Sequence, residues 1–357
     1  MRNHQEFRPD WVSAPGETIL DVLDERKLSV TDFARRMGRT RQAISELLEG
    51  RATITMSIAR RLERVLGGSV EFWMLRDFQY REDVARLHKE DEELVAELPL
   101  GDMIKFGWLG PVPHPADELA ACLRFFDVPS VQVWRDAYAG VQDIVAFRTS
   151  PSFDSSPAAV AAWLRQGEIE AEAIECGPWD SMQFQGSLAG IRSLTRRKDP
   201  AKFVPELQQR CAEHGVGVAV VRAPTGCRAS GATRFISEQK ALLLLSFRYL
   251  SDDHFWFTFF HEAGHLVLHG TKRLFLEGTD TPDSAEEQEA NDFAARILIP
   301  DEFLPALLTL PTDPRRVIRF ATRVGVSPGI VVGQLQHHGR IRHNQLNSLK
   351  RRYRWSE

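Results

Sequence analysis

Two histidines four residues apart, His261 and His265, constrain the fold of this chain more than any other feature of its sequence. They lie in an apolar stretch, HFWFTFFHEAGHLVLHG, that is compatible with a buried helix. On a helix, residues four apart lie on one face, about 6 Å apart along the axis. Both imidazoles can therefore converge on one metal ion, and the sequence predicts a helix that carries a metal site.

Glu262 follows the first histidine directly, where its carboxylate can reach a metal-bound water. Zinc lowers the pKa of that water, and Glu262 can accept its proton and pass it to a leaving amine. The His-Glu-x-x-His pattern thus predicts one zinc ion per chain, or another divalent ion, with Glu262 as the catalytic residue. Gly264 costs the helix about 1 kcal/mol relative to alanine, which favours close packing of another element against it.

A catalytic zinc site needs a third protein ligand, and geometry excludes His269. It lies eight residues beyond the first histidine, about 12 Å along the helix axis, so we expect it at the surface or beside a ligand. A later helix, predicted over 285–294, places Glu287 and Asn291 on one face. Glu287 is the favoured third ligand, and Asn291 is expected to hydrogen-bond a ligand. Glu289 points about 200° away from Glu287 and is the alternative ligand.

The residues before the metal-site helix predict a small sheet. Valines at alternating positions in 216–221 form a strand-like run, and the glycine-bearing loop near Gly231 precedes another. Residues 241–247, ALLLLSF, form a continuous apolar run that is typical of a buried strand. We expect an extended substrate to add as a strand beside the sheet that contains this last run.

Residues from about 215 to 300 resemble the ImmA/IrrE metallopeptidase family, on the motifs SGATRF, DDHFWFTFFHEAGHLVLHG and EEQEANDFAARILIP. The resemblance implies a zinc-dependent, gluzincin-like endopeptidase with two histidine ligands, a glutamate ligand and a catalytic glutamate. The matching positions are His261, His265 and Glu287 as ligands, Glu289 as the alternative ligand, and Glu262 as the catalytic residue. Family members commonly act on repressors or antitoxins.

The N-terminal part of the chain carries a compact basic segment in a protein that is otherwise nearly neutral. The whole chain has a formal charge of −4, from 45 Lys and Arg against 49 Asp and Glu. Between residues 35 and 64, eight arginines stand against three glutamates, a local charge of +5. Such a segment in a neutral protein indicates a phosphate-binding face.

The same segment has the spacing of a helix-turn-helix unit. Ser29 and Thr40 suit the starts of the second and third helices, and Gly38 suits the tight turn between them. The third helix would be the recognition helix in the major groove. Its early, outward positions carry side chains that contact bases and phosphates well. These DNA-binding candidates are Arg39, Thr40, Arg41, Gln42 and Ser45.

Residues from about 15 to 79 resemble the Cro/C1-type (XRE) helix-turn-helix, most like that of HigA-like antitoxins. The spacing that carries the match is that of Ala34, Gly38, Ile44, Ser45, Gly50, Ala59, Leu62, Phe72 and Trp73. The resemblance implies sequence-specific binding of double-stranded DNA, usually by a homodimer on a palindromic operator.

The expected fold class is α+β, in four segments. Residues 1–92 form an all-α helix-turn-helix domain and 93–200 a helical connector; 201–300 form a zincin-like metallopeptidase domain with a small sheet, and 301–357 a helical extension. The extension has the spacing of a helix-turn-helix but lacks the arginines of a DNA-recognition helix, so we expect it to pack on the peptidase domain. Its basic end, Lys350 to Arg354, is expected to be disordered or to touch phosphates.

The leading interpretation is a DNA-binding transcriptional regulator with a zinc endopeptidase that cleaves a repressor, a toxin or itself, with the linker near Pro99 as a self-cleavage candidate. The alternative is a HigA-like antitoxin of a toxin–antitoxin pair, whose metal site is structural or sensory. Glu262 argues against the alternative, because a structural site has no use for a base. No apolar run reaches the roughly 20 residues of a membrane span, so we expect no membrane contact and a cytoplasmic location.

Overall fold

The computed structural model describes residues 11–141, 155–270, 275–277 and 285–355. The chain forms two compact units, one of residues up to 96 with 128–135, and the other of 97–127 with the residues from 136 onward. The predicted α+β fold class is confirmed, and the division into four segments stays a prediction. No helix within the described ranges is both long and apolar enough to span a bilayer.

Helices account for most of the ordered chain that the structure describes. The α-helices are α1 (Pro15–Glu25), α2 (Val30–Met37), α3 (Arg41–Leu48), α4 (Met56–Leu66), α5 (Val70–Glu97), α6 (Leu100–Lys105), α7 (Glu118–Phe126), α8 (Val131–Ala137), α9 (Pro157–Glu172), α10 (Ser181–Ile191), α11 (Pro200–Ala212), α12 (Asp252–His269), α13 (Ala285–Leu298), α14 (Leu304–Leu308), α15 (Pro314–Val324) and α16 (Pro328–His337). Short 3₁₀ helices cover Pro115–Asp117, Arg192–Arg196, Asp301–Phe303 and Asn347–Leu349.

The helix-turn-helix forms from local signals. The hydroxyls of Ser29, Thr40 and Thr55 accept hydrogen bonds from the backbone N–H groups three residues on, which caps α2, α3 and α4. Gly38 ends α2 with φ +60°, a left-handed conformation that side-chain-bearing residues rarely adopt. The helices enclose a small apolar core. Its largest buried members include Ile19, Phe33, Met37, Ile44, Leu62 and Trp73.

The sheet lies in the second unit and has the order β1-β3-β2-β4. Its strands are β1 (Val216–Val220), β2 (Gly231–Ser237), β3 (Lys240–Leu245) and β4 (Phe275–Glu277). Strand β1 is parallel to β3, whereas β2 is antiparallel to both β3 and β4. The expectation that a substrate strand adds to this sheet stays a prediction, and such a strand could not add directly beside β3, which is bonded on both sides. Among the described strands the sheet edges belong to β1 and β4.

The two faces of β3 are covered by different helices, as a fully buried strand requires. Leu243 and Leu245 belong to the main core with Phe255 and Trp256 of α12. Leu244, on the other face, lies against Gly167 of α9, where an added Cβ would come within 2.6 Å of a leucine methyl. Helix α12 therefore packs on a sheet whose other face is covered by α9.

The C-terminal segment is part of the same core. Helix α16 is buried along most of its length against α12, so it cannot enter a DNA groove. The Lys350 ammonium lies 2.6 Å from a carboxylate oxygen of Asp253, with both side chains less than a tenth exposed. The backbone N–H of Arg351 donates to Asp252 at 2.9 Å. The expectation of a disordered or phosphate-touching tail is therefore wrong for these two residues.

The proposed self-cleavage point near Pro99 is also disfavoured by the structure. Only Leu98 and Pro99 separate α5 from α6, and Leu98 is buried. Proteolytic nicking concentrates at exposed, poorly ordered segments. A two-residue link with a buried member offers no extended stretch of backbone to a peptidase.

Candidate metal centre and nucleic-acid interface

The metal-site residues lie on two packed helices, α12 and α13. His261, Glu262 and His265 are almost fully buried on α12. Helix α13 comes close to them at Gly264, where an added Cβ would lie 3.0 Å from the Phe293 ring and 3.3 Å from the backbone of α13. The close packing that Gly264 predicts is therefore the approach of α13.

Three side chains converge at this crossing of helices. The Nε2 atoms of His261 and His265 are 3.0 Å apart. Oxygens of Glu287 lie 3.2 Å from His261 Nε2 and 3.6 Å from His265 Nε2. Their three donor atoms all lie within 4.8 Å of one another, the one such group that could hold a metal ion in the described part of the chain. Two imidazoles and one carboxylate are a donor set that catalytic zinc sites use, so these residues fit the ion.

The protonation states of this cluster also suit a metal. Burial raises the pKa of Glu287, but hydrogen bonds from His261 and His265 and their charge outweigh it and hold that pKa below its ordinary value. Burial lowers the pKa of His265 below its ordinary value. Metal ligands bind in their deprotonated forms, because protons compete with the ion, so the shifts of Glu287 and His265 are both in the direction that favours a metal.

Strand β2 holds Glu262 beside the cluster. The Thr233 hydroxyl donates to a Glu262 carboxylate oxygen at 3.1 Å. Two residues earlier, Gly231 leaves the space through which Glu262 passes, since an added Cβ would lie 2.7 Å from its Cγ. Both residues lie in the SGATRF motif, but the sequence indicated no role for them at the site. The available signal is that they alternate on one face of a strand, within the SGATRF motif.

Two further polar side chains, Asn291 and His269, contact the two histidines on the side away from the three donor atoms. Asn291 Oδ1 lies 3.0 Å from His261 Nδ1. His269 Nδ1 lies 3.0 Å from His265 Nδ1, and its Nε2 lies 3.1 Å from Glu289 Oε2. The structure thus places Glu287 among the three donors and Glu289 outside them.

The predicted DNA-contacting residues lie together at the start of α3. Arg39, Thr40, Arg41, Gln42 and Ser45 are all exposed. The guanidinium of Arg41 donates to Thr31 Oγ1 at 3.2 Å, which connects α3 with the start of α2. Gln42 and Ser45 hydrogen-bond acidic residues one turn further along α3.

One arginine of the basic segment has a structural role that the sequence did not reveal. Arg61 on α4 is half-buried and donates to the carbonyl of Met37 at 2.6 Å, at the end of α2. It therefore satisfies an otherwise unpaired helix-end carbonyl. Arg35 and Arg51 form exposed ion pairs with Asp32 and Glu49. These three arginines therefore already have partners within the protein.

The fold and the site together define a class of protein, a helix-turn-helix unit joined in one chain to a domain with a peptidase-type metal site. Residues 19–73 match the helix-turn-helix family, and residues 214–336 match Peptidase_M78, the IrrE N-terminal-like domain. The chain belongs to the helix-turn-helix family of transcriptional regulators and carries a Peptidase_M78 domain. Both resemblances that the sequence motifs indicated are confirmed.

The chain is similar to a known transcriptional regulator and to a protein of known structure. The uncharacterised HTH-type transcriptional regulator YddM of Escherichia coli is 34% identical over 82 residues, which are 21% of this chain and 87% of YddM. A crystal structure from Nostoc punctiforme, described as an antidote protein of a plasmid maintenance system, is 34% identical. It covers 25% of this chain and 97% of that one, with a TM-score of 0.22.

Proposed function

We propose that this DNA-binding regulator uses its Peptidase_M78 domain as a zinc-dependent endopeptidase. The observation that supports this most is the convergence of His261, His265 and Glu287, with the buried carboxylate of Glu262 one residue from the first ligand. A purely structural zinc site needs four protein ligands and no adjacent base. Three protein donors leave a position for water or substrate, which is the arrangement of a catalytic site.

The three donors would hold one zinc ion, or another divalent cation, per chain. When bound, the ion supplies Lewis acidity, which lowers the pKa of water and polarises a peptide carbonyl. Glu262 accepts a proton from the attacking water and returns it to the nitrogen of the cleaved peptide bond. Thr233 holds the carboxylate of Glu262 in place by its hydrogen bond, and burial strengthens the electrostatics of the site.

The helix-turn-helix would place this activity at DNA. We propose that Arg39, Arg41 and Gln42 contact bases or phosphates in the major groove, and that Thr40 and Ser45 add phosphate or base contacts. A homodimer on a palindromic operator fits this type of unit. The substrate would be a protein, either a repressor or toxin that acts at the same locus or another copy of this chain, in the cytoplasm with the DNA.

A comparison of new protein N-termini in cells tests the peptidase. Cells express the wild type, Glu262→Gln, or the control Glu302→Gln, an exposed glutamate outside the site. Glu262→Gln keeps the three donors and removes the base, so its zinc content should equal that of the wild type. We expect cleavage products with the wild type and the control, and none with Glu262→Gln.

The opposite result has a clear meaning. Identical N-terminal profiles in all three strains, in growth and under stress, with zinc bound in each, would contradict the peptidase. They would favour an antitoxin-like repressor whose metal site is structural or sensory.

A further inference from the structure

His269 and Glu289 form a polar chain that ends on a proposed metal ligand. His269 is the last residue of α12, and its side chain is only 8% exposed. One ring nitrogen lies 3.0 Å from His265 Nδ1 and the other 3.1 Å from Glu289 Oε2. Both ring nitrogens of His269 are thus occupied by the protein, which leaves none for a metal.

When His265 binds a metal through Nε2, the hydrogen bonds among His265, His269 and Glu289 allow only one arrangement of protons. That histidine must then carry its proton on Nδ1 and donate it, so His269 Nδ1 accepts. His269 consequently carries its own proton on Nε2 and donates it to the Glu289 carboxylate. In this arrangement, both the His265–His269 and the His269–Glu289 hydrogen bonds have one donor and one acceptor.

We infer that Glu289 and His269 are positioning residues that fix the tautomer and orientation of His265 for metal binding. This inference rests on the proposed function, since it concerns the metal that the peptidase would use. Metal-bound histidines commonly donate their second ring N–H to a carboxylate or carbonyl, which raises ligand basicity. In this protein, the imidazole of His269 lies between the proposed ligand His265 and the carboxylate of Glu289.

The two histidine ligands are therefore supported differently. His261 donates directly to the neutral amide oxygen of Asn291. His265 donates to an imidazole that is polarised by Glu289, whose side chain is 61% exposed. Solvent weakens the effect of an exposed charge. We therefore expect His269 to matter more than Glu289 for metal affinity.

Zinc affinity of the full chain, measured with Zn²⁺ and a chromophoric chelator as competitor, tests this assignment. His269→Leu removes the acceptor and should weaken zinc binding by about 10- to 100-fold, the range for loss of such a partner. His269→Asn keeps an acceptor near Nδ1 and should recover part of the affinity. Glu289→Gln should weaken binding by a smaller factor, and the charge-matched control Glu302→Gln should leave it unchanged.

The tautomers of His265 and His269 test the inference independently, because a purely structural role of His269 and Glu289 would not determine them. Imidazole ¹⁵N NMR of the zinc-loaded protein should show His265 protonated on Nδ1 and His269 on Nε2. In Glu289→Gln, the His269 Nε2–H resonance should shift. Because Glu289 is exposed, this substitution should not disturb folding, so misfolding would not account for the shift. Finding His269 protonated on Nδ1 in the wild type would overturn the inference.

The affinities also separate this inference from the proposed function. A wild type that fails to bind Zn²⁺ would overturn both. A wild type that binds tightly and loses zinc in Glu287→Ala, while His269→Leu and Glu289→Gln bind like the wild type, would overturn the inference alone.

Discussion

The helix-turn-helix and the metal centre are built in opposite ways. The first gathers its candidate contacts from seven consecutive positions, 39–45, and displays them on an exposed helix start. The second combines residues near 231, 262 and 287, which are far apart in the chain, at a buried crossing of one strand and two helices. One site depends on side-chain display and the other on tertiary packing.

This difference determines what substitutions should do. A change on the exposed face alters recognition with little effect on folding, because surface side chains contribute little to stability. A change at the buried centre alters either metal binding or the packing that creates the site. The following substitutions test that separation.

Glu287→Ala should have the largest effect. It removes one of the three proposed metal ligands, and zinc-site binding energies of roughly 10–16 kcal/mol are shared among few ligands. We expect the zinc dissociation constant to rise by about 1,000-fold or more, measured by chelator competition, while operator affinity stays unchanged. Full zinc retention would contradict the assignment and move the third ligand to Glu289.

Lys350→Met should have the next largest effect, on folding. It leaves the buried Asp253 carboxylate without its ammonium partner, a type of loss that costs about 3–5 kcal/mol. Hydrogen exchange of residues 252–269 should rise, as measured by mass spectrometry. The double variant Lys350→Met/Asp253→Asn should recover part of the protection, and unchanged exchange in the single variant would show that the pair contributes nothing.

Arg41→Ala should affect only the exposed face. A specific base contact is worth about 1–3 kcal/mol, so operator affinity should fall by about 5- to 150-fold with zinc binding intact. An operator selected from random DNA serves as the probe. Arg296→Ala, an exposed arginine of α13, is the matched control and should bind like the wild type. Equal operator affinity in both variants would remove α3 as the recognition helix.

Ser29→Ala should have the smallest effect. Loss of the N-cap hydrogen bond to Asp32 N costs about 1 kcal/mol and should raise hydrogen exchange in α2 alone. Ser29→Asn offers an equivalent acceptor and should behave like the wild type. Increased exchange in α12 as well would show that the stability of the metal centre depends on that of the helix-turn-helix.

The sequence predicted the helix-turn-helix well because its signals are local. Helix α2 spans Val30–Met37 as predicted, since Ser29 and Gly38 mark its two ends within the same short segment. The three residues that the structure brings together as candidate metal ligands were also accessible from the sequence. His261 with His265, and Glu287 with Asn291, are each four apart on a helix, so spacing alone identifies their shared faces.

Features that depend on long-range contacts could not be read in the same way. Lys350 lies in a basic run that indicates a solvated tail, yet its partner Asp253 is 97 residues away. Thr233 reaches Glu262 because β2 packs on α12. The interior position of β3 follows from strand order, which hydrophobic pattern does not encode.

The contacts between the start of α12 and residues 350 and 351 also affect when each part of the protein can fold during synthesis. Domains fold as units while translation proceeds, the N-terminal one first. The helix-turn-helix has all its residues long before the ribosome reaches residue 350. Asp252 and Asp253, at the start of the metal-site helix, can contact Arg351 and Lys350 only after the ribosome has passed residue 351. A nascent chain can thus have its DNA-reading part in place while the metal-site helix still lacks its last partners.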